Sequence, residues 1–477
     1  MSPTTANKRG GFFISVGCPG CGGKLELEDS FFVLTCDFCG SVLRVHKPDV
    51  PPAYVVSSTV DKREVRFAID HHLKKQGQPL TGSDIQYKRV LYPYWRIEAI
   101  VLKTRNRARL LEDRKDYNYG HGSLLRASCL SSGHSIKEKH TEVTLSPYTV
   151  TSPAAYEVAG IPYTLGMRTN YLKVMPFVEG AIDERFDVLP VTVPMTMAVQ
   201  QARKSVQSVG MVESADFGRN LTELYHPVGS VVYFPYFLAE SLAGGIYRRW
   251  IVDGVTARIL GHQERPVEVS MVDVPMEPLI EFGQLEISHH RCSNCGEDLP
   301  EENSYIYICK NCHKLTNIEP HPLFRTELQV TSDSGSDGDL LLPFWSLKFS
   351  EQVQSSLRVS NPDRLIVPAF QMSNFEEVFK LSRRMATAVS RFTFASLTDI
   401  DRNFRSIDIS PSEALVMAQV LCVRERLSIS ANIDMPDISS TLAEMSLFFV
   451  PFHPEHYFML DSILGAVTFS KRVLARH

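Results

Sequence analysis

CPGCGGKLELEDSFFVLTCDFCGSVLRV, residues 18 to 45, carries four of the chain's ten cysteines in two C-x-x-C pairs. Two residues between paired cysteines let a tight turn aim both thiolates at one cation, and a glycine after the second cysteine supports the positive φ such a turn needs. Gly22 and Gly40 stand at that place. The 14 residues between Cys21 and Cys36 are enough for a β-hairpin, with KLELED and FFVLT reading as its strands. Cys18, Cys21, Cys36 and Cys39 therefore form a candidate Cys₄ site. A closed shell of four thiolates selects Zn²⁺, with iron the main competitor, and makes the ion structural rather than catalytic.

The same arrangement recurs in CSNCGEDLPEENSYIYICKNC, where Cys292, Cys295, Cys309 and Cys312 form the second set, with Gly296 after one pair. Two Zn²⁺ ions are thus expected per chain. His289, His290 and His313 flank this site and read as exposed histidines beside a closed shell. Cys129 and Cys422 are left over and read as ordinary buried or half-buried thiols.

The 477 residues exceed what one hydrophobic core organises. Apolar residues make up 44% and charged residues 22%, the balance of a globular protein, and the net charge of −4 gives no whole-chain argument for nucleic acid. The ribbons themselves are acidic, net −2 over residues 11 to 50 and −3 over 286 to 320, a poor surface for releasing counterions from a phosphate backbone. No apolar run is long enough to span a bilayer and the N-terminus lacks a secretory h-region. A cytoplasmic location is expected.

Four strands share a proline followed by bulky residues: VLYPYWRIEAIVL (90–102), VVYFPYFLAES (231–241), LLPFWSLKF (341–349) and LFFVPFHPEHYFML (447–460). Proline cannot donate to a ladder, so it is expected at a strand start, an edge or a bulge. Amphipathic helices are predicted over 61–75, 195–209 and 412–427, the last with Ser412 as N-cap. WIVDGVTARILG (250–261) and LGAVTFSKRVL (464–474) read as hairpin partners, with Asp253 and Gly254 in a turn. The expected fold class is α+β: two Cys₄ zinc ribbons, each introducing helix-plus-antiparallel-sheet units that occur up to four times in a duplicated architecture. Boundaries follow at 1–50 for the first ribbon, 51–180 and 181–285 for two α+β units, 286–320 for the second ribbon and 321–477 for the remainder.

The first module resembles the zinc ribbon of transcription factor IIB type. The order of ribbon, helix and a strand reading Y-P-Y-W or L-P-F-W is similar to bacterial zinc-ribbon proteins loosely labelled primosomal-helicase-like, on residues 18–45 and 90–96, echoed at 292–312 and 341–347. The resemblance implies an adaptor that recruits phage-shock protein A homologues or SPFH-domain proteins at membranes, peripheral to the bilayer through its partners. The membrane-spanning segments of some members are not found in this sequence, and no G-x-x-x-x-G-K-[ST] loop supports a helicase.

KTRNRAR (103–109) places Lys103, Arg105, Arg107 and Arg109 on one face of a strand, within a stretch of net +5 over residues 100–140. It reads as a solvated face, with an acidic partner, lipid headgroups or a nucleic-acid backbone as its candidate ligands. TSDSGSDGD (331–339) reads as a linker, and AGIPYTLGMRTNYLKVMPF (159–177) as a stretch that could line a groove. No nucleophile elbow, H-E-x-x-H helix or dinucleotide fingerprint is present. The expectation is a non-enzymatic adaptor that works by protein–protein contact. A nucleic-acid-binding protein and an enzyme with its cleft between the halves are the alternatives.

Overall fold

The computed structural model describes residues 13–28, 33–46, 48, 50–77, 85–110, 137–155, 157–158, 160–166, 172–178, 182, 185–210, 222–243, 246–266, 281–302, 304–318, 328–332, 338–349, 364–373, 375–397, 403–427 and 442–474, with the backbone alone described at 104–110, 137–143, 208–210, 243, 265–266 and 423–427. These residues form a mixed, strand-dominated fold with four α-helices.

The N-terminal part runs β1 (Phe13–Gly17), β2 (Lys24–Glu28), β3 (Val33–Thr35), β4 (Val42–His46), β5 (Ala53–Val56), α1 (Lys62–Lys75), β6 (Ile85–Leu110), β7 (Lys137–Pro153), β8 (Lys173–Pro176), β9 (Phe186–Val188), α2 (Met195–Gly210), β10 (Thr222–Ala243), β11 (Ile246–Asp253) and β12 (Ile259–Pro266). Its ten-stranded sheet has the order β12-β11-β10-β5-β8-β1-β2, with β6 joined to β10, β7 and β9. The C-terminal part runs β13 (Glu286–His289), β14 (Ile306–Ile308), β15 (Leu315–Asn317), β16 (Gln329–Thr331), β17 (Leu340–Phe349), β18 (Arg364–Pro368), α3 (Phe375–Ala388), β19 (Phe394–Ser396), α4 (Pro411–Leu427), β20 (Leu442–Pro454), β21 (Phe458–Asp461) and β22 (Thr468–Ser470). Its seven-stranded sheet is ordered β18-β17-β20-β16-β19, with β21 and β22 attached to β20.

Three of the four Pro-aromatic strands, β6, β10 and β20, follow a helix. The four associate as two antiparallel pairs, β6 with β10 and β17 with β20, at one common offset: Pro93 faces Tyr233 and Leu91 faces Pro235, while Pro343 faces Phe449 and Leu341 faces Pro451. These strands are central, contrary to the edge or bulge expected for proline. Each proline stands where one neighbouring strand hands over to the next, so no ladder acceptor goes unfilled on its account. At Pro93 the handover is from β9 to β7, at Pro235 from β5 to β11, and at Pro451 from β16 to β21. The freed carbonyls are used: Pro93, Pro235, Pro343 and Pro451 accept N–H bonds of 3.0, 2.9, 3.0 and 3.0 Å from Ala154, Gly254, Ala369 and Ser462.

The indoles of Trp95 and Trp345 are fully buried and pin the chain just ahead of a helix. Trp95 donates to the carbonyl of Val193 before α2 at 2.7 Å, and Trp345 to that of Ile409 before α4 at 2.9 Å. The Asp253 and Asp461 carboxylates are buried and organise the turns after β11 and β21 by accepting backbone N–H bonds from Val255 and Thr256, and from Leu464 to Val467. Asp253 is thus a turn residue, as its sequence context predicts.

Asp61 and Glu64 form a capping box at the start of α1, whose Val65, Ile69 and Leu73 are buried. At α4 the cap is Ser410, two residues before the expected Ser412: Glu413 N–H donates to Ser410 Oγ and Ser410 N–H to Glu413 Oε2, both at 3.0 Å, which leaves Pro411 at the first helical position. α4 is not amphipathic either. Ala414, Val416, Ala418, Val420, Leu421 and Cys422 are all buried, and they point to more than one face of the helix. The segment 159–177 does not line a groove where it is described: Ile161 and Leu165 pack into the tyrosine-rich core, and Pro162 accepts a 2.7 Å bond from Tyr94.

Candidate metal centres

Each C-x-x-C pair is built by the same backbone turn. The amides of Gly22, Gly40, Gly296 and His313 donate to the carbonyls of Cys18, Cys36, Cys292 and Cys309 at 2.8 to 2.9 Å. The residue closing each turn has positive φ: 72° at Gly22, 72° at Gly40, 78° at Gly296 and 59° at His313. His313 therefore fills a position that glycine holds in the other three turns, a role that its reading as a flanking histidine missed.

The hairpins bring the turns together in pairs. Sγ of Cys18 lies 3.8 Å from that of Cys39, and Cys21 3.8 Å from Cys36. In the second cluster Cys292 lies 3.5 Å from Cys312 and Cys295 3.5 Å from Cys309. Within each set all four sulfurs fall inside 4.8 Å of one another. Four thiolates at zinc–sulfur distance from one ion stand about 3.8 Å apart, so both sets fit a tetrahedral ion. Ser41 hydrogen bonding holds the Cys39 thiol down at about 6, and the Lys314 amide does the same for Cys312, at about 6. The Gly23 amide favours the Cys21 thiolate, but desolvation and the other three sulfurs outweigh it and push that thiol up to about 12. Full ionisation of either set thus calls for a cation among the sulfurs.

The two centres meet. β13, which leads into the second ribbon, pairs antiparallel with β4, the last strand of the first, with Glu286 opposite His46 and His289 opposite Leu43. His290, just past β13, is completely buried, which corrects its reading as exposed; His289 and His313 are exposed. The His290 amide donates to the carbonyl of Val42 at 2.9 Å, its Nδ1 accepts from Arg44 Nε at 3.1 Å, and its ring meets Tyr307 edge-on at 4.5 Å. Burial depresses its pKa to about 4 with help from the Arg44 charge, so it is neutral at pH 7.

Lys103, Arg105, Arg107 and Arg109 take alternate positions on β6, and β7 sets Thr144, Glu142, His140 and Glu138 opposite them. The register thus sets a glutamate position opposite Arg105 and another opposite Arg109. Cys422 is buried in the α4 core, whereas Cys129, Arg168 and residues 333–337 of the polar loop lie outside the described residues. No helix among the described residues is long and apolar enough to cross a membrane. No family model, curated protein or solved structure matches the chain.

Proposed function

We propose that the chain is a non-enzymatic zinc-binding scaffold or adaptor whose two structural ions hold surfaces for protein partners. The observation that carries this reading is the closure of both cysteine sets: four sulfurs at tetrahedral spacing leave no position for a substrate or an activated water. The common offset of β6–β10 and β17–β20 supports reading the sheets as two copies of one unit, each introduced by a ribbon. An open cleft of about 570 Å³ between α1 and the β11–β12 turn is lined by Arg63, Glu64, Phe67, Ala68, His71 and Ala257. Its one carboxylate, Glu64, accepts the Asp61 amide in the capping box at 2.9 Å, so it serves the helix rather than a reaction.

By its resemblance to the bacterial ribbon proteins, the partner is a phage-shock protein A homologue or an SPFH-domain protein, met in the cytoplasm beside a membrane. Tagged full-length chain captured from its native cells, followed by reconstitution of the captured complex from purified components, tests this. A stoichiometric complex with such a partner is expected. Reconstitution failing with every enriched protein would sink the reading. The alternative, nucleic-acid binding through residues 103–109, predicts a steep fall of affinity with salt.

A further inference from the structure

The two cysteine clusters share a core. Val33 of β3 and Val42 of β4, from the first ribbon, pack against Cys292, Leu299, Tyr307 and Cys309 of the second. In return Ile287 of β13, which belongs to the second, packs with Cys18, Leu25, Cys36 and Leu43 of the first. Polar contacts fasten the same seam: Arg44 to His290 at 3.1 Å, and Ser288 Oγ to His46 Nε2 at 2.8 Å. Each ribbon thus completes the apolar shell behind the other's sulfurs. Cys36 and Cys309, the innermost ligand of each set, are 1% and 0% exposed.

A ribbon of this size has too little apolar area to fold alone and takes its folding free energy from the ion. When the first ion leaves, β3 and β4 lose the hairpin that positions them, Val33 and Val42 withdraw from Cys292 and Cys309, and His290 loses the Arg44 donor. When the second leaves, Ile287 and β13 lose their anchor and the wall behind Cys18 and Cys36 opens. We propose that the two Cys₄ sets are one cooperative metal unit, in which loss of the ion from either set weakens the other set's hold and releases the β4–β13 joint. This rests on the reading of both sets as metal sites. Coupling between sites of this kind is worth roughly 5- to 150-fold in affinity.

Zinc release from the full-length chain into excess chelator, followed with a colorimetric zinc indicator, tests the proposal alongside hydrogen exchange at residues 286–290. The native chain is expected to lose both ions in one kinetic phase. Cys21→Ser/Cys39→Ser should lose its remaining ion at least about fivefold faster than the native chain and lose amide protection along β13, though β13 carries no ligand of the damaged set. Val33→Ala/Ile287→Ala keeps all eight ligands and trims only the seam. It should bind two ions and release them in two separate phases, which keeps the test valid where the cysteine variant misfolds outright. Release of the remaining ion at the native rate, or a native chain that already loses its ions in two phases unaltered by the seam variant, overturns the coupling. Absence of zinc from both sets overturns the metal reading itself, a distinguishable result.

Discussion

Arg44 donates its Nε–H to Nδ1 of His290 across 3.1 Å, closing a contact between residues 246 positions apart in the chain. Both residues are tied to a four-cysteine ribbon, and His290 is completely buried. Arg44→Met keeps most of the side-chain packing and removes the donor. It should destabilise the protein by about 1–3 kcal/mol, the cost of leaving a buried acceptor unmatched. Urea denaturation checks this, and an unchanged midpoint would show that the contact carries no net energy.

His313 holds φ at 59°, where the three equivalent turns use glycine. His313→Gly should therefore stabilise the second ribbon by about 1 kcal/mol, and Gly296→Ala should cost about as much or more. Thermal denaturation of the zinc-loaded chain reads both. Opposite signs are expected, and two losses would refute the turn assignment.

Trp95 and Trp345 each donate an indole N–H to the carbonyl just ahead of a helix cap. Trp95→Phe and Trp345→Phe should each cost about 1–3 kcal/mol, from a lost hydrogen bond plus a small void. Similar losses in both variants would support two equivalent units. A loss confined to one would show that the shared geometry is not shared energetics.

His262 stacks on Trp250 with ring centroids 5.3 Å apart. Burial lowers its pKa below 6.5; Glu264 opposes the shift, while His72 and Arg248 add to it. Well above pH 6.5 neither the folded nor the unfolded chain holds this proton, so the group's contribution to stability is at its full value there. As the pH falls below 6.5, the unfolded chain binds the proton first and stability declines until the depressed folded pKa is passed. His262→Phe should lessen the fall of the denaturation midpoint between about pH 7 and 5 without abolishing it, because burial also lowers the pKa values of His290 and His46, which contribute to the same fall. A slope equal to that of the native chain would assign the acid sensitivity elsewhere.

Metal analysis of the chain purified without chelators should find two zinc ions, matching the two sets of four sulfurs. Cys309→Ser should lower that count and unfold the second ribbon locally. Fewer than two ions in the native chain would count against a second site.

The cysteine sets were legible because their paired ligands have only two residues between them and need only a turn and a hairpin to converge. The Pro-aromatic strands were legible as core, yet the reason for their prolines was not: a proline is harmless in a central strand only where its neighbour changes, and those neighbours come from distant chain. Helix α3 carries a readable stripe, Val378, Leu381, Met385 and Ala388, interrupted by the buried Ser382, and it went unpredicted. The Ser412 cap failed by two residues because Pro411 fits the first turn and Ser410 and Glu413 then close the box. His290 looked exposed because nothing near Cys292 announces that a strand from the other ribbon covers it. Likewise, the glutamates facing Arg105 and Arg109 follow from pairing with β7 and not from the basic run.

The β4–β13 pairing also sets a schedule for synthesis. With Arg44 and His290 separated by 246 residues, a ribosome needs roughly 10 to 50 s to deliver the second strand after the first has emerged. Throughout that interval the outer edge of β4 and the apolar side chains of Val33 and Val42 have no partner from their own chain. The nascent protein thus carries an uncovered apolar edge for an interval set by the 246-residue separation of the two strands.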